Sequence, residues 1–343
     1  MATPSCRPRL PHPDTMLGTY RLILAIAVAL SHIGYRIGGL NPGVIAVVGF
    51  YLVSGYVMAG LLQRRYPSVK QAPGFYLDRA VRLLPQYLFY AALTFVWFIS
   101  IAPQHTNLSL DYHLSRLPTL ADLLNNITII PLNYYMWNAS DRFTLLPPAW
   151  SLGAEIQFYL LAPLILCIPR RYLPVGLIAL ATYALAVFGS INSDWFGYRL
   201  LPGVLIFFLL GAALQTLHQQ QRLIAARWLV GIGLLVALLL GWLARQHGSL
   251  HQPYNRETLL GLALALPILH ILARQPRSTW DDTAGDISYG VFLNHFLLYW
   301  AIFPSGVSLS RLPIFILSSM LLAWLTQRLL ERPCLAWRKG RRK

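Results

Sequence analysis

Ten long apolar runs constrain the fold of this chain more than any other feature of its sequence. The runs cover roughly residues 16–36, 43–62, 82–102, 148–169, 173–190, 200–217, 226–244, 256–274, 286–304 and 309–330. Most of them approach the ~20 residues that an α-helix needs to cross a bilayer. Only 12% of the residues are charged, whereas soluble domains carry roughly 25%. The sequence therefore predicts an all-α, polytopic integral membrane protein with about ten transmembrane helices in a single domain, residues 1–343.

The basic residues between these runs predict which side of the membrane each loop faces. If the N-terminus is cytoplasmic, 21 of the 28 lysines and arginines fall on the cytoplasmic side and 7 on the other. This threefold bias follows the positive-inside rule and predicts that both termini are cytoplasmic. The Asn-rich segment at about 103–147 is then an outer loop, and the basic tail at about 332–343 lies inside. We expect a multi-pass protein of the inner (plasma) membrane.

The distribution of charge and of cysteines argues against nucleic acid as a partner and against a metal site. The net charge of +16 is explained by the loop bias, and its pattern does not suggest nucleic acid as a partner. Three scattered cysteines, Cys6, Cys167 and Cys334, fit neither a disulfide framework nor a metal site. We therefore expect no bound metal.

Two ionisable residues in the first run share one helix face. Arg21 and His32 are eleven residues apart, which gives an angular offset of about 20° and an axial separation of about 16 Å. Arg21 would lie near the inner mouth and His32 in the outer half of the membrane. Arg21 could simply reach the lipid head groups, and His32 could be a structural histidine. Ionisable groups at membrane depth are unfavourable, however, so a functional role is the first hypothesis for His32.

Glu155 lies about two turns into the stretch PPAWSLGAEIQFYLLAPLI, which begins another run. A charge at that depth costs at least about 2.5–3.5 kcal/mol on insertion scales, so it needs a partner. His32 lies at a similar predicted depth, and we expect a Glu155–His32 pair that makes the imidazole a better base. Hydrogen bonding of Glu155 to backbone is the alternative. Ser151 is expected to start the helix and not to act as a nucleophile.

Further polar residues flank or enter the third and ninth runs. Arg79 and Arg82 are three residues apart and share a helix face. Two guanidiniums at the cytosolic mouth would bind phosphate groups, although lipid head groups could use the same arginines. Ser288 and His295 share a face of the ninth run. The mid-membrane position of His295 suits hydrogen bonding to an acceptor or to another helix.

Six motifs, taken in order, resemble those of the acyltransferase 3 family of membrane O-acyltransferases. They are Arg21-x10-His32, GFYLVSGYVM (49–58), LDRAVRLLPQY (77–87), AWSLGAEIQFYLLAPL (149–164), ISYGVFLNH (287–295) and LLERP (329–333). The first pair alone is a weak signal, but six motifs in family order across most of the chain are specific. One departure is Phe292, which stands where the family often has tyrosine.

The resemblance implies transfer of an acyl group, commonly acetyl, from cytosolic acyl-CoA to a hydroxyl of a surface polysaccharide or glycolipid sugar. The acyl-CoA donor, the glycan or glycolipid acceptor and membrane lipids would be the partners, with no permanently bound cofactor. The implied site residues are Arg21, Arg79 and Arg82 for the donor, His32 and Glu155 for catalysis, and Trp150, Ser151 and His295 for the substrate. His32 would act as a general base or form a transient acyl-histidine, and the sequence does not separate these two mechanisms.

Two other classes of membrane protein stay open on the residues alone. A polytopic transporter of a sugar or lipid-linked intermediate would also carry Arg, His and Glu in its spans, although it would usually show inverted repeats and none is visible. A lipid-linked glycosyltransferase would need an acidic outer-loop motif with metal-ligand spacing. Asp111, Asp122 and Asp141 are too dispersed for such a motif.

Overall fold

The computed structural model describes residues 16–100, 113–114 and 117–340, with side chains through Arg338. Cys6, most of the outer segment from 103 to 116 and the last three residues of the tail lie outside these ranges. The described part contains thirteen α-helices: α1 Gly18–His32, α2 Pro42–Arg65, α3 Ala72–Ser100, α4 Leu120–Thr128, α5 Tyr135–Asn138, α6 Ala149–Leu166, α7 Pro169–Val187, α8 Leu201–Gln219, α9 Leu223–Gln246, α10 Asn255–Leu272, α11 Thr279–Ile302, α12 Leu312–Thr326 and α13 Arg332–Gly340.

Each of the ten predicted apolar runs overlaps a long helix. Seven of these helices, in the described residues, are long and apolar enough to cross a membrane, which confirms the prediction of an all-α membrane protein. α1 has only 15 residues, so it is about 22 Å long and shorter than the ~30 Å hydrocarbon core. α7 and α11 are not among the seven either. The count of about ten spans and the cytoplasmic placement of both termini stay predictions.

The central helix of the bundle is α2, which packs against α1, α6, α8 and α10. Its closest crossing is with α8, at Gly55 and Gly211. A Cβ at Gly55 would overlap the carbonyl of Phe208, and a Cβ at Gly211 would overlap the carbonyl of Leu52. Because small residues let membrane helices approach closely, α8 fixes one side of α2 and leaves other faces of α2 to line internal cavities.

The carboxylate of Asp281 fixes α1 against α11. It accepts hydrogen bonds from the backbone N–H of Gly18 at 3.1 Å and of Thr19 at 2.7 Å, so it caps the first turn of α1. His32 lies fourteen residues after Gly18, and His295 lies fourteen residues after Asp281. Since the two helices run parallel at 1.5 Å per residue, the cap sets the register that brings these two histidines together.

The described part of the outer segment, from residue 117, is more ordered than a polar loop. α4 begins with a capping box, in which the Thr119 hydroxyl and the Asp122 carboxylate each accept a hydrogen bond from the other residue's backbone. Farther along, Asn126 Oδ1 accepts a hydrogen bond from Leu145 N at 2.8 Å. The segment is therefore held on the bundle, and Tyr135 and Asp141 from it line an internal cavity.

Candidate active site

Two neighbouring cavities lie inside the bundle. The larger, about 420 Å³, is lined by His32 and Trp150 and is called the His32 cavity. The smaller, about 180 Å³, is called the arginine cavity. Its polar lining includes Arg21, Arg79, Arg82, Glu155 and Tyr159. The structure thus brings the three predicted donor arginines together and separates them from His32.

Three residues line both cavities and are called the septum. They are Val47 on α2, Ser151 on α6 and Phe292 on α11. All three are buried. The Ser151 hydroxyl donates to the Pro148 carbonyl at 2.9 Å, a bond that holds the side chain against the start of its own helix, in line with the role expected of it.

His32 and His295 form a direct hydrogen bond, and its geometry assigns the protons. His295 Nδ1 lies 3.1 Å from the Val291 carbonyl, so this nitrogen carries a hydrogen and donates it. In a neutral ring the other nitrogen, Nε2, is then an acceptor, and it lies 2.9 Å from His32 Nδ1. His32 Nδ1 must therefore donate, which leaves His32 Nε2 with a free lone pair. This assignment is inferred from hydrogen bonding, as ring tautomers are.

The surroundings of the two rings differ. His32 is exposed and lines the His32 cavity, whereas His295 is only 1% exposed and lines neither cavity. Phe296 packs on the His32 ring, with centroids 4.8 Å apart. His295 thus lies behind His32 and orients it. Of the two roles predicted for His295, the structure shows the hydrogen bond to another helix, and contact with an acceptor stays a prediction.

The expected pairing of Glu155 with His32 is wrong. Glu155 Oε1 accepts a hydrogen bond from the Tyr159 hydroxyl at 2.5 Å, and that hydroxyl accepts one from Ser54 at 3.4 Å. Glu155 lines the arginine cavity and His32 lines the other one. Equal predicted depth did not imply contact, because the septum residue Ser151 precedes Glu155 by one helical turn on the same face.

Two of the three predicted donor arginines already have carboxylate partners. Arg79 pairs with Asp78, and Arg82 pairs with Glu331, which is fully buried at a π-helical turn that follows α12. Asp78 also pairs with Arg338 of α13, so the basic tail is tied to the base of α3. The sequence interpretation missed the pairs that Glu331 and Arg338 form, because these two residues lie far along the chain from their partners.

Sequence reasoning also missed Arg199, which it counted only as an outer-loop charge. Its guanidinium carbon lies 4.6 Å from the centroid of the Trp150 ring and 5.2 Å from that of Tyr135. Arg199 Nε donates to Asp194 Oδ1 at 2.6 Å, which leaves the terminal amino groups for other partners. The aromatic-rich stretch DWFGYR (194–199) was the available signal.

The outer segment holds this cluster in place. Asn133 Nδ2 donates to the carbonyls of Trp150 and Arg199, both at 3.1 Å. Burial raises the pKa of Tyr135, which lies outside the membrane-spanning helices, so its hydroxyl stays protonated. Trp150 therefore faces the His32 cavity beside a cation and a neutral hydroxyl, a combination suited to a ligand rich in oxygen atoms.

The described ranges contain no group of three or more His, Cys, Asp or Glu side chains that could hold a metal ion. Cys167 and Cys334 are free thiols. The chemistry available in the two cavities is instead that of a base, a set of arginines and polar hydroxyl groups.

The family model of the acyltransferase domain, acyltransferase 3, matches residues 18–328. A protein of Aquifex aeolicus named "Uncharacterized protein" is 40% identical over 163 residues, covering 45% of this chain and 71% of the relative. A Staphylococcus aureus protein of strain COL named "Putative O-acetyltransferase" is 27% identical over 215 residues. That match covers 55% of this chain and 33% of the relative, so the chain spans about a third of its length. No solved structure matches this chain.

Proposed function

The chain belongs to the acyltransferase 3 family, and from that premise we propose that it transfers an acyl group, commonly acetyl, from acyl-CoA to a hydroxyl of a surface polysaccharide or glycolipid sugar. One observation carries the proposal: a cavity lined by three arginines adjoins a cavity with an accessible imidazole. Arginines suit the phosphates of CoA, and an imidazole suits the removal of a hydroxyl proton. We propose that the protein lies in the inner membrane, with about ten spans and with both termini in the cytoplasm. In this orientation the arginine cavity opens toward the cytosolic donor.

The arginine cavity would bind the donor through Arg21, Arg79 and Arg82. Each guanidinium has five N–H donors, so an arginine that pairs with one carboxylate keeps donors for phosphate oxygens. The pairs of Arg79 with Asp78 and of Arg82 with Glu331 hold the two side chains in place before the donor arrives. Preorganisation of this kind lowers the entropy lost on binding.

The His32 cavity would bind the acceptor. Sugar hydroxyls can accept hydrogen bonds from the terminal amino groups of Arg199, and they can donate hydrogen bonds to the Tyr135 hydroxyl or accept them from it. The apolar faces of a sugar can pack on Trp150. The volume of the His32 cavity, about 420 Å³, lies within the usual range for small-molecule sites. A hydroxyl of the bound sugar would then lie beside His32.

The reaction follows from the proton assignment. His32 Nε2 accepts the proton of the acceptor hydroxyl as its oxygen attacks the thioester carbonyl. A C–O bond forms, the C–S bond breaks, and the proton passes to the departing sulfur to give the free CoA thiol. His295 accepts the hydrogen bond of His32 Nδ1 throughout, which stabilises the cationic ring. A transient acyl-histidine would use the same Nε2 lone pair, and trapping of a labelled enzyme would identify it.

Glu155 would act on the donor side. It lies close enough to Arg79 to stabilise that charge electrostatically, and its bond with Tyr159 fixes its orientation. The carboxylate would therefore hold Arg79 toward the cavity while it repels misplaced phosphate oxygens. This role replaces the predicted role of orienting the base.

The proposal is tested with purified protein in lipid nanodiscs and radiolabelled acetyl-CoA, with glycan or glycolipid extracts as acceptors. We expect CoA release and labelled ester only when protein and acceptor are both present. Arg79→Ala and Arg82→Ala should weaken acetyl-CoA binding about tenfold or more, since a charged hydrogen bond contributes roughly 1.5–3 kcal/mol. Lysine at either position should restore binding only partly, because the planar fork is lost.

Arg277→Ala is the matched control. Arg277 also pairs with an aspartate, Asp282 at 3.4 Å, but it is half exposed and lines neither cavity. Its loss should leave donor binding unchanged. Equal donor affinity in all three alanine variants would assign the arginines to lipid head groups, and uptake of a sugar without CoA-dependent ester formation would favour a transporter.

A further inference from the structure

The septum separates the two cavities at the point where the proposed reaction must take place. In the proposed function, on which this inference rests, the donor enters the arginine cavity and the acceptor lies in the His32 cavity. The CoA thiol withdraws on the donor side after transfer, whereas the acyl group leaves with the acceptor. The acyl group is thus the one part of the donor that must pass the septum completely.

The septum is made of three buried side chains. Its largest member, Phe292, is 8% exposed and packs edge-to-face on Phe50, with centroids 5.9 Å apart. The Ser151 hydroxyl is bonded to the Pro148 carbonyl. Val47 belongs to α2, which is fixed against α8 by the close crossing at Gly55 and Gly211. Movement of any of the three side chains would therefore disturb the packing of its neighbours.

We propose that Val47, Ser151 and Phe292 select the acyl group by its cross-section, so that unbranched short acyl groups pass and branched ones are rejected. A straight chain of methylenes is no wider than an acetyl methyl, whereas a branch beside the carbonyl widens the group at the point of reaction. A misfit of one methyl group in a tight apolar site changes kcat/KM by about tenfold or more. The septum selects the acyl group by its width, whereas the volume of the His32 cavity limits the length of the acyl chain.

Isomeric donors separate width from length. Butyryl-CoA and isobutyryl-CoA contain the same atoms, but only the second is branched. For the wild-type protein we expect kcat/KM for isobutyryl-CoA to be at least about tenfold below that for butyryl-CoA. Phe292→Ala should reduce this ratio to about threefold or less by raising kcat/KM for isobutyryl-CoA.

Phe98→Ala is the matched control. Phe98 is also 8% exposed and packs against another ring, Phe143, with centroids 5.4 Å apart, but it lines neither cavity. It should keep the wild-type ratio. Val47→Ala opens the septum from the opposite helix by a smaller amount and should shift the ratio in the same direction, which keeps the test valid if Phe292→Ala does not fold.

The outcomes distinguish the two proposals. Transfer from acetyl-CoA with the same isomer ratio in wild type, Phe292→Ala and Val47→Ala would overturn the width filter and leave the acyltransferase function standing. Absence of transfer from all three donors in the folded wild-type protein would overturn the proposed function itself. A relaxed ratio in both septum variants, with an unchanged ratio in Phe98→Ala, would support the filter.

Discussion

The described part of the protein contains two hydrogen-bonded histidine pairs with the same nitrogen–nitrogen distance and very different surroundings. In one pair His32 Nδ1 lies 2.9 Å from His295 Nε2, and in the other His218 Nε2 lies 2.9 Å from His270 Nδ1. Each pair is anchored by one further bond. The Val291 carbonyl accepts from His295, and the Tyr56 hydroxyl lies 3.1 Å from His218 Nδ1.

The difference is access to a cavity. His32 opens onto a cavity of about 420 Å³ with its second nitrogen unoccupied, whereas neither His218 nor His270 lines either cavity. Tyr56, His218 and His270 come from α2, α8 and α10, so their bonds tie three helices together. A hydrogen-bonded imidazole pair is therefore not in itself a catalytic feature, and the cavity beside His32 is what distinguishes the proposed base from a structural link.

The largest expected effect comes from removing the accessible ring. His32→Ala should lower the rate of acyl transfer by about 10²–10⁴, the usual contribution of a general base. Binding of acetyl-CoA should persist, because the donor arginines line the other cavity. Equilibrium binding and single-turnover transfer measured on the same preparation check both points, and near-normal turnover would place His32 in the same structural class as His218.

A smaller loss is expected when His32 keeps its ring but loses its partner. His295→Leu should lower kcat about tenfold or more with little change in KM for the donor, as partners that orient functional imidazoles do. His295→Gln offers an acceptor oxygen to His32 Nδ1 and should recover part of kcat. If His295→Gln has the same kcat and the same thermal stability as His295→Leu, the hydrogen bond does not position the base.

Glu155→Gln tests whether the Glu155 carboxylate, instead of His295, orients the His32 imidazole and stabilises its protonated form. We expect a rise of about two- to fivefold in KM for acetyl-CoA, equivalent to roughly 0.4–1 kcal/mol for a weakly coupled charge pair. The value of kcat should stay close to that of the wild type, since Glu155 lies across the septum. Steady-state kinetics with both substrates varied decide the matter, and a fall in kcat alone would restore the direct role of Glu155 in base catalysis.

The smallest effect on activity is expected at the second pair. His218→Ala should change kcat and KM by less than about twofold, because the pair has no access to a substrate. It should lower stability by about 0.6 kcal/mol and by no more than about 1.7 kcal/mol, which are the mean and the maximum for hydrogen bonds between membrane helices. Thermal unfolding in detergent measures this loss, and a large loss of transfer without a loss of stability would contradict the comparison.

The sequence by itself determined the class of the fold and most members of the candidate site. Long apolar runs with little charge can only be helices in a bilayer, because lipid offers no partner for an exposed backbone N–H or C=O. The spacing of Arg79 and Arg82 gave a shared helix face, and α3 carries both into one cavity with Arg21. These features are local or compositional, so pattern alone reveals them.

Tertiary structure alone decided which of these residues meet. The partner of His32 is His295, 263 positions away, because Asp281 caps α1 and sets the two helices in parallel register. Glu155 was predicted at the depth of His32, but it lies on the other side of the septum. Depth follows from counting residues along one helix, whereas contact depends on the rotation and crossing of two helices, which small residues such as Gly55 control through close packing.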